Sequence, residues 1–238
     1  MIICDDSLEY LLRMRGRGQT VKCIFADVPD NLGLNYEEYG DCLPSNVYYD
    51  WLELLIMRSL PCCQIFWLSI FSEHLMEVLS RIRNVIKYYH PLFECRTFIW
   101  RYTFGQYNDK DCARGYRPII RLVRHGAMLN VDSIRELSGR QKLGDARAAG
   151  DRVPDDVWHI PRVTGNSIER RAWHPTQHPV KLMKRIVSMS CYLGDTVIDL
   201  FGGTGSCLRA ARDLGINCIS IDKSKKYCDL LIEELGND

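Results

Sequence analysis

The sequence predicts an α/β protein, with a mostly parallel twisted sheet flanked by helices. Three observations carry that expectation. Short runs rich in β-branched and aromatic residues alternate with stretches whose apolar residues recur at helical spacing. One run, "TVIDLF", enters a glycine-rich turn and then a helical stretch. Another, "TVKCIFA", ends in the tetrapeptide Asp27-Val28-Pro29-Asp30. Open parallel sheets bind ligands beyond the carboxyl ends of their strands, so these two ends are where chemistry is expected.

Taken in order, "MIIC" reads as a short strand, and Asp6 or Ser7 caps the helix "LEYLLRMR". "TVKCIFA" is a strand, "PSNVYYDWLELLIMRSL" a helix, and "CCQIFWLSI" a strand whose continuous apolar run marks it as fully buried. "SEHLMEVLSRIRNVIKYY" is an amphipathic helix. Two strands follow, "ECRTFIWRY" and "RPIIRLVRHG", the second with Arg117, Arg121 and Arg124 among its polar positions. Residues 130–172 break the rhythm with Gly139, Gly144, Gly150 and several arginines, and read as an inserted, partly mobile segment. Regularity returns at Pro179: helix "VKLMKRIVSMS", strand "TVIDLF", helix "CLRAARDLG", strand "NCISID" and helix "KKYCDLLIEEL".

A chain of 238 residues holds one large domain, or one domain with an insertion. With 46% hydrophobic and 26% charged residues it has the composition of an ordinary soluble globular protein. A formal net charge of +1 excludes a polycation, but the charge is uneven. Residues 1–60 hold five Lys/Arg against ten Asp/Glu, and residues 81–125 hold ten against three. That basic middle suits a surface facing a polyanion. The 11 cysteines form no C-x-x-C pair, which with no visible leader predicts reduced thiols and a cytoplasmic location. His174 and His178 are spaced like metal ligands, but Pro175 and Pro179 interrupt a regular helix and no third ligand is evident, so no metal is expected. No apolar run reaches the ~18 residues that span a bilayer, so no membrane is expected either.

The turn "FGGTGS" narrows the ligand. Glycines let the backbone approach a ligand closely, and the following helix offers free N–H groups. A phosphate-binding P-loop needs Gly-Lys-Ser/Thr, but Ser206-Cys207 follow Gly205. A dinucleotide loop needs a third glycine, and Leu208 stands there. S-adenosylmethionine remains: the turn accommodates its methionine part, and an acid ending the next strand bonds both ribose hydroxyls. Asp222 ends "NCISID", one helix and one strand after Gly205. Too little chain follows Asp199 to complete a sheet, so the other strands lie upstream, and Asp27 can face the glycine turn across one crevice.

Four stretches in this order, "CDDSLEYL", "ADVPDNLGLNY", "WHPTQHPVKLMKRIV" and "VIDLFGGTGSCLRAARDLGINCISID", resemble the DNA amino-methyltransferases of the β group. In that permuted order the catalytic motif precedes the target-recognition segment and the cofactor motif comes last. The resemblance implies a Rossmann-like methyltransferase fold, S-adenosyl-L-methionine as cofactor and double-stranded DNA as partner. It implies methylation of an exocyclic amine, adenine N6 in the first reading and cytosine N4 in the alternative, on a flipped-out base. It divides the chain into a catalytic half (1–129), a target-recognition segment (130–172) and a cofactor-binding half (173–238). Asp27, Val28, Pro29 and Asp30 become the catalytic motif. Asp6, Asp27, Thr176, Gln177, His178, Asp199, Phe201, Gly202, Gly203, Gly205 and Asp222 become the cofactor contacts.

The family's tetrapeptide is usually DPPY. Its acid and the following main-chain carbonyl accept hydrogen bonds from the amine, drawing nitrogen toward tetrahedral geometry and freeing its lone pair. The prolines stiffen the backbone, and the ring stacks on the base. Here Asp27 is kept, Val28 keeps only its carbonyl, and Asp30 has no ring to stack. Loss of one stacking platform costs about 1–3 kcal/mol. Tyr36 or Tyr39 could replace it, Asp30 could read a different base edge, or the chain could be an inactive nucleic-acid binder. His178 also departs from the family, which commonly has Lys there. Within 130–172, Arg135, Arg140, Lys142, Arg147, Arg152, Arg162, Arg170 and Arg171 suit contact with guanine or phosphate. The segment is small, so a short site, weak selectivity or a second subunit in a homodimer is expected. "FGQYND" (Phe104 to Asp109) reads as a mobile loop near the base.

Overall fold

The computed structural model describes residues 1–36, 39–102, 109–145 and 150–236. Along them, β1 (Ile2–Cys4) and α1 (Ser7–Gly16) lead to β2 (Val21–Asp27) and a two-strand ribbon, β3 (Asn35–Tyr36) with β4 (Tyr39–Gly40). Then come α2 (Ser45–Ser59), β5 (Cys63–Ser69), α3 (Leu75–Tyr88), β6 (Phe93–Arg101) and β7 (Tyr116–Arg124). A second ribbon, β8 (Glu136–Leu137) with β9 (Asp151–Arg152), brackets the short α4 (Gly139–Lys142). β10 (Val157–His159), α5 (Val180–Ser190), β11 (Thr196–Asp199), α6 (Ser206–Asp213), β12 (Asn217–Asp222) and α7 (Lys225–Leu235) complete the chain.

Eight strands form one sheet in the order β1-β12-β11-β2-β5-β7-β6-β10. β1, β12, β11, β2 and β5 pair parallel, and β7 runs antiparallel to both β5 and β6. This is the α/β class that the sequence predicts. Each sheet face carries its own core. Leu11 and Met14 of α1, Tyr48, Leu52, Leu55 and Ile56 of α2, and Val78, Ile82 and Val85 of α3 cover one side. Leu182, Met183, Ile186 and Val187 of α5, Leu208, Ala210 and Ala211 of α6, and Leu231 of α7 cover the other. Side chains alternate between faces along a strand, so Cys23, Phe25 and Asp27 share a face, as do Ile65, Trp67 and Ser69 of β5. Pairing sets Asp27 opposite Ser69. Because β7 runs the other way, its beginning lies beside these strand ends, with Ile119 opposite Ser69. Arg117, Ile119 and Arg121 thus share one face of β7, and Arg117 is carried to the sheet edge where Asp27 and Ser69 end.

Residues 130–172, read from the sequence as an inserted segment, also contribute to the sheet: β10 pairs parallel with β6, and Trp158 packs against Phe98 and Trp67 with ring centroids 4.9 and 6.0 Å apart. Ile134 and Ile160 join the same core. A three-residue strand is too short for its period to show in sequence. Of the ten cations in the basic stretch 81–125, two are buried and several of the others are paired with acids of this chain. Arg117 and Arg121 are buried, Arg81 pairs with Asp50, Glu53 and Glu77, Arg96 with Asp156, and Arg114 with Glu73. Arg121 lies over the rings of Trp67 and Phe98, and burial together with Arg96 lowers its pKa to about 10. All eleven cysteines are free thiols. Among the described residues no helix is long and apolar enough to cross a membrane.

Replacing Trp158 with alanine removes a fully buried side chain from this core, and should lower unfolding stability by about 3–5 kcal/mol in chemical denaturation. A loss under about 1 kcal/mol would mean that β10 is not part of the cooperative sheet.

Candidate active site

The ends of β2, β11 and β12 and the start of β7 open onto one cavity of about 670 Å³. Asp6, all of Asp27 to Asp30, Tyr36, Thr176 to His178, Asp199, Phe201 to Gly203 and Asp222 line it. Adjacent strands explain the gathering: β11 lies between β2 and β12, so the strand end at Asp199 is flanked by those at Asp27 and Asp222. Gly205 is the predicted contact that the cavity does not include. It caps α6 with a φ of 73°, and an added Cβ would meet Leu231 Cδ2 at 2.8 Å. Its glycine serves helix packing and a left-handed backbone, not the ligand wall.

The glycine turn is pressed against β12. A Cβ on Gly202 would lie 2.4 Å from Ser220 Oγ, and one on Gly203, at φ 47°, would lie 3.1 Å from His174 Nε2. Asp222 fastens this turn: its Oδ2 accepts from the Gly203 N–H at 2.8 Å, and its Oδ1 accepts from the Ser224 N–H at 2.8 Å. Asp6 caps α1 by accepting from the Leu8 and Glu9 N–H groups, while its other oxygen lies 3.6 Å from Lys223 Nζ. Thr176 Oγ1 is bonded to the Tyr36 hydroxyl at 3.3 Å. Gln177 spends both ends of its amide on the neighbouring loop, accepting from the Arg171 N–H and donating to the Glu169 carbonyl.

The tetrapeptide is held at every residue. Asp27 Oδ1 accepts from Arg117 Nη2 at 3.0 Å, and Asp27 Oδ2 lies 2.8 Å from His178 Nδ1. Val28 is buried in the core, and the Pro29 carbonyl accepts from the Tyr48 hydroxyl at 2.8 Å. Both Asp30 oxygens accept from the Arg117 guanidinium at 2.8 Å, and its carbonyl meets His74 Nε2 at 2.8 Å. Asp41, also buried, accepts from the N–H groups of Asn31, Leu32 and Leu34 and sets the turn that follows. Rigidity that a second proline would supply comes here from side-chain hydrogen bonds. Asp30 therefore faces a cation in the wall of the cavity.

Arg117 Nε also donates to Ser69 Oγ at 2.7 Å, and Ser69 Oγ lies 3.0 Å from His178 Nε2. With Asp27 ionised, the Nδ1 of His178 carries the hydrogen that meets Oδ2. Ser69, His178 and Asp27 have the connectivity of a nucleophilic triad. Ser69 is fully buried with its oxygen occupied by Arg117, so it anchors the imidazole and attacks nothing. Burial works to raise the pKa of Asp27, but His178 and Arg117 outweigh it and hold the carboxyl well below the usual range. Asp27 is therefore held as an anion, an acceptor of hydrogen bonds and a poor proton sink. Its side chain keeps 23% exposure, so a ligand can reach it. Two bonds leave about half of a carboxylate's acceptor positions.

Ser69, Asp41, Tyr48, His74 and Arg117 were absent from the sequence-derived site. The signal for Arg117 was present: two acids in one buried tetrapeptide need a cation nearby. Tyr36 lines the cavity, its ring 5.6 Å from that of His174. The side chains of Tyr39 and Lys142 lie outside the described residues, as do Arg147 and Phe104 to Asn108. Arg162 and Arg170 line the cavity, whereas Arg135, Arg140 and Arg171 are paired with Asp132, Asp145 and Glu234.

Burial raises the pKa of Asp199 to about 8, with Asp27 and Asp222 adding to the rise against the Phe201 N–H. The unfolded chain releases this proton near pH 3.9, so between about 4 and about 8 the folded state binds more protons and stability falls as pH rises. Asp199→Asn keeps an acceptor without the charge. Urea midpoints of parent and variant should diverge in the variant's favour across that window, and parallel midpoints would mean that Asp199 ionises normally.

Residues 21–234 match the family model N6_N4_Mtase, described as DNA methylase. DNA adenine methyltransferase YhdJ of Escherichia coli (strain K12) is 27% identical over 250 residues, covering 98% of this chain and 82% of its own length. The crystal structure of the M1.HpyAVI–SAM complex aligns with a TM-score of 0.65 and 16% identity, covering 99% of each chain. PvuII DNA methyltransferase, described as cytosine-N4-specific, aligns with a TM-score of 0.67 and 16% identity over 95% of this chain and 83% of its own. This chain belongs to the N6/N4 DNA methylase family, DNA methyltransferases that draw their methyl group from S-adenosylmethionine.

Proposed function

We propose that the protein methylates the exocyclic N6 amine of adenine in DNA, with Asp27 as the acceptor that reshapes the amine. The observation that carries this reading is the ionised Asp27 carboxylate, held at the end of β2 and exposed to the cavity beside the glycine turn. An exocyclic amine conjugated with its ring is a weak nucleophile. A fixed anion accepting one of its N–H bonds localises the lone pair, and this stabilisation grows as nitrogen becomes tetrahedral. Because its pKa is depressed, Asp27 assists without removing the proton, which leaves to solvent after transfer. Adenine is favoured by the likeness to an adenine methyltransferase along nearly the whole chain.

The cavity residues fit the cofactor. The bound cofactor supplies an electrophilic methyl group on a sulfonium. Asp222 would accept from the ribose hydroxyls, Trp51, Phe201 and Tyr227 offer apolar and aromatic walls, and Thr176 lies where a polar methionine end is expected. Gly202 and Gly203 let the turn lie close against Ser220 and His174, where any side chain would collide. Residues 130–172 remain the proposed target-recognition segment.

Mass spectrometry of nucleosides after incubation with mixed-sequence DNA and labelled S-adenosylmethionine should find N6-methyladenine. Asp27→Ala should lower transfer by about 100-fold or more while cofactor affinity changes little. N4-methylcytosine as the product would overturn the adenine assignment. Absence of transfer to any DNA, with cofactor binding intact, would leave an inactive binding protein.

A further inference from the structure

We infer that Arg117 is a positioning residue for Asp27, and that Asp30 is its counterion, not a group that meets the target base. The inference rests on the methyltransferase reading for its kinetic arm only. Among the described residues, Arg117 is the one side chain that bonds both acids of the tetrapeptide: its fork closes on both Asp30 oxygens at 2.8 Å, and Nη2 also reaches Asp27 at 3.0 Å. Its third nitrogen, Nε, is fixed by Ser69. Every nitrogen of the guanidinium is thus committed, and its plane cannot rotate without breaking a buried bond. A planar fork suits this role where an ammonium would not.

The arrangement explains why the fourth position carries an acid. Arg117 alone beside Asp27 would fix one oxygen but leave most of the fork in a desolvated wall without partners. Asp30 occupies those donors, and the pair leaves Asp27 a neighbour of an immobilised cation. Asp30 keeps 12% side-chain exposure with both oxygens engaged by Arg117, so its carboxylate is turned into the wall. The motif's last residue has exchanged a contact with substrate for a contact with the residue that holds the first. Besides Arg117 and Asp30, the titratable groups facing Asp27 are His178, His174, Asp199, Tyr36 and Tyr102. Among the described residues, His178 alone of these bonds it directly, so removal of Arg117 should be felt at Asp27.

The test is the double variant Arg117→Met/Asp30→Asn, which removes both charges together and leaves no orphaned carboxylate at position 30 to unfold the chain. For methyl transfer it should show kcat lowered by about 100-fold with a nearly parental KM for S-adenosylmethionine. The acid limb of its pH profile should move to higher pH, because Asp27 loses one of the two groups that keep it ionised. Arg117→Lys, which restores charge without the fork, should return the acid limb toward its parental position but leave kcat low. A parental kcat with an unmoved acid limb in the double variant would overturn the inference. Carbon-13 NMR of the Asp27 carboxyl, on full-length protein without DNA, decides it independently of activity. The parental carboxyl should remain ionised throughout the acid range in which the protein is folded, and in the double variant it should titrate inside that range. An unchanged titration would refute the positioning role even for a protein that methylates DNA, whereas a shifted titration in a protein without transfer would sustain it while the function failed.

Discussion

Two carboxylates three residues apart, Asp27 and Asp30, share the guanidinium of Arg117 in the wall of the cavity. Two acids cannot both stay ionised in a desolvated site without a cation between them, since each would raise the pKa of the other. Burial lowers the pKa of Arg117, but Asp30 and Asp27 more than reverse this and keep it fully charged. Removing one member of such a buried group leaves an uncompensated charge, typically a loss of about 3–5 kcal/mol. The same contacts set the ionisation of Asp27, the direction of Asp30 and, through Ser69, the ring of His178. The geometry of the active site follows from this one interaction.

The sheet makes the interaction available. Asp27, Ser69 and Arg117 come from three neighbouring strands, and the two-residue period puts all three on one face. A parallel β7 would have brought its far end, Arg124, to this edge. The antiparallel run brings Arg117 instead. A slip of one residue in β7 would turn Arg117 toward the opposite core, among helices with no acid to receive it. Topology and register therefore position the site as much as its residue types do. Several arginines of the middle stretch are consumed by pairing within the chain, while Arg162 and Arg170 of the later segment line the cavity.

Much of the fold was legible because its strands and helices are long enough to show their periods. Asp27, Asp199 and Asp222 were legible because each ends a strand, and the glycine turn because its spacing excludes other nucleotide loops. What escaped detection was short or distant. β10 has three residues, fewer than two periods of a strand. Arg117 lies ninety residues from Asp27, in a strand where an alternating arginine reads as a solvent-facing position. At Gly205 a left-handed helix cap and a ligand turn ask for the same residue, and sequence alone does not separate the two. Gln177 lines the cavity, yet both ends of its amide are committed to a loop that no local pattern reveals. Asp30 looked like a defect while the motif was read alone, and its partner on β7 gives it a function.

The central claim is that the acid in the fourth place of the motif belongs to the protein's own wall. It is tested most directly by a crystal structure with S-adenosylhomocysteine and a DNA duplex carrying the target base. The account predicts both Asp30 oxygens still on the Arg117 fork, with the exocyclic amine of the flipped base within hydrogen-bond distance of Asp27. An Asp30 carboxylate turned away from Arg117 and bonded to the base would contradict it.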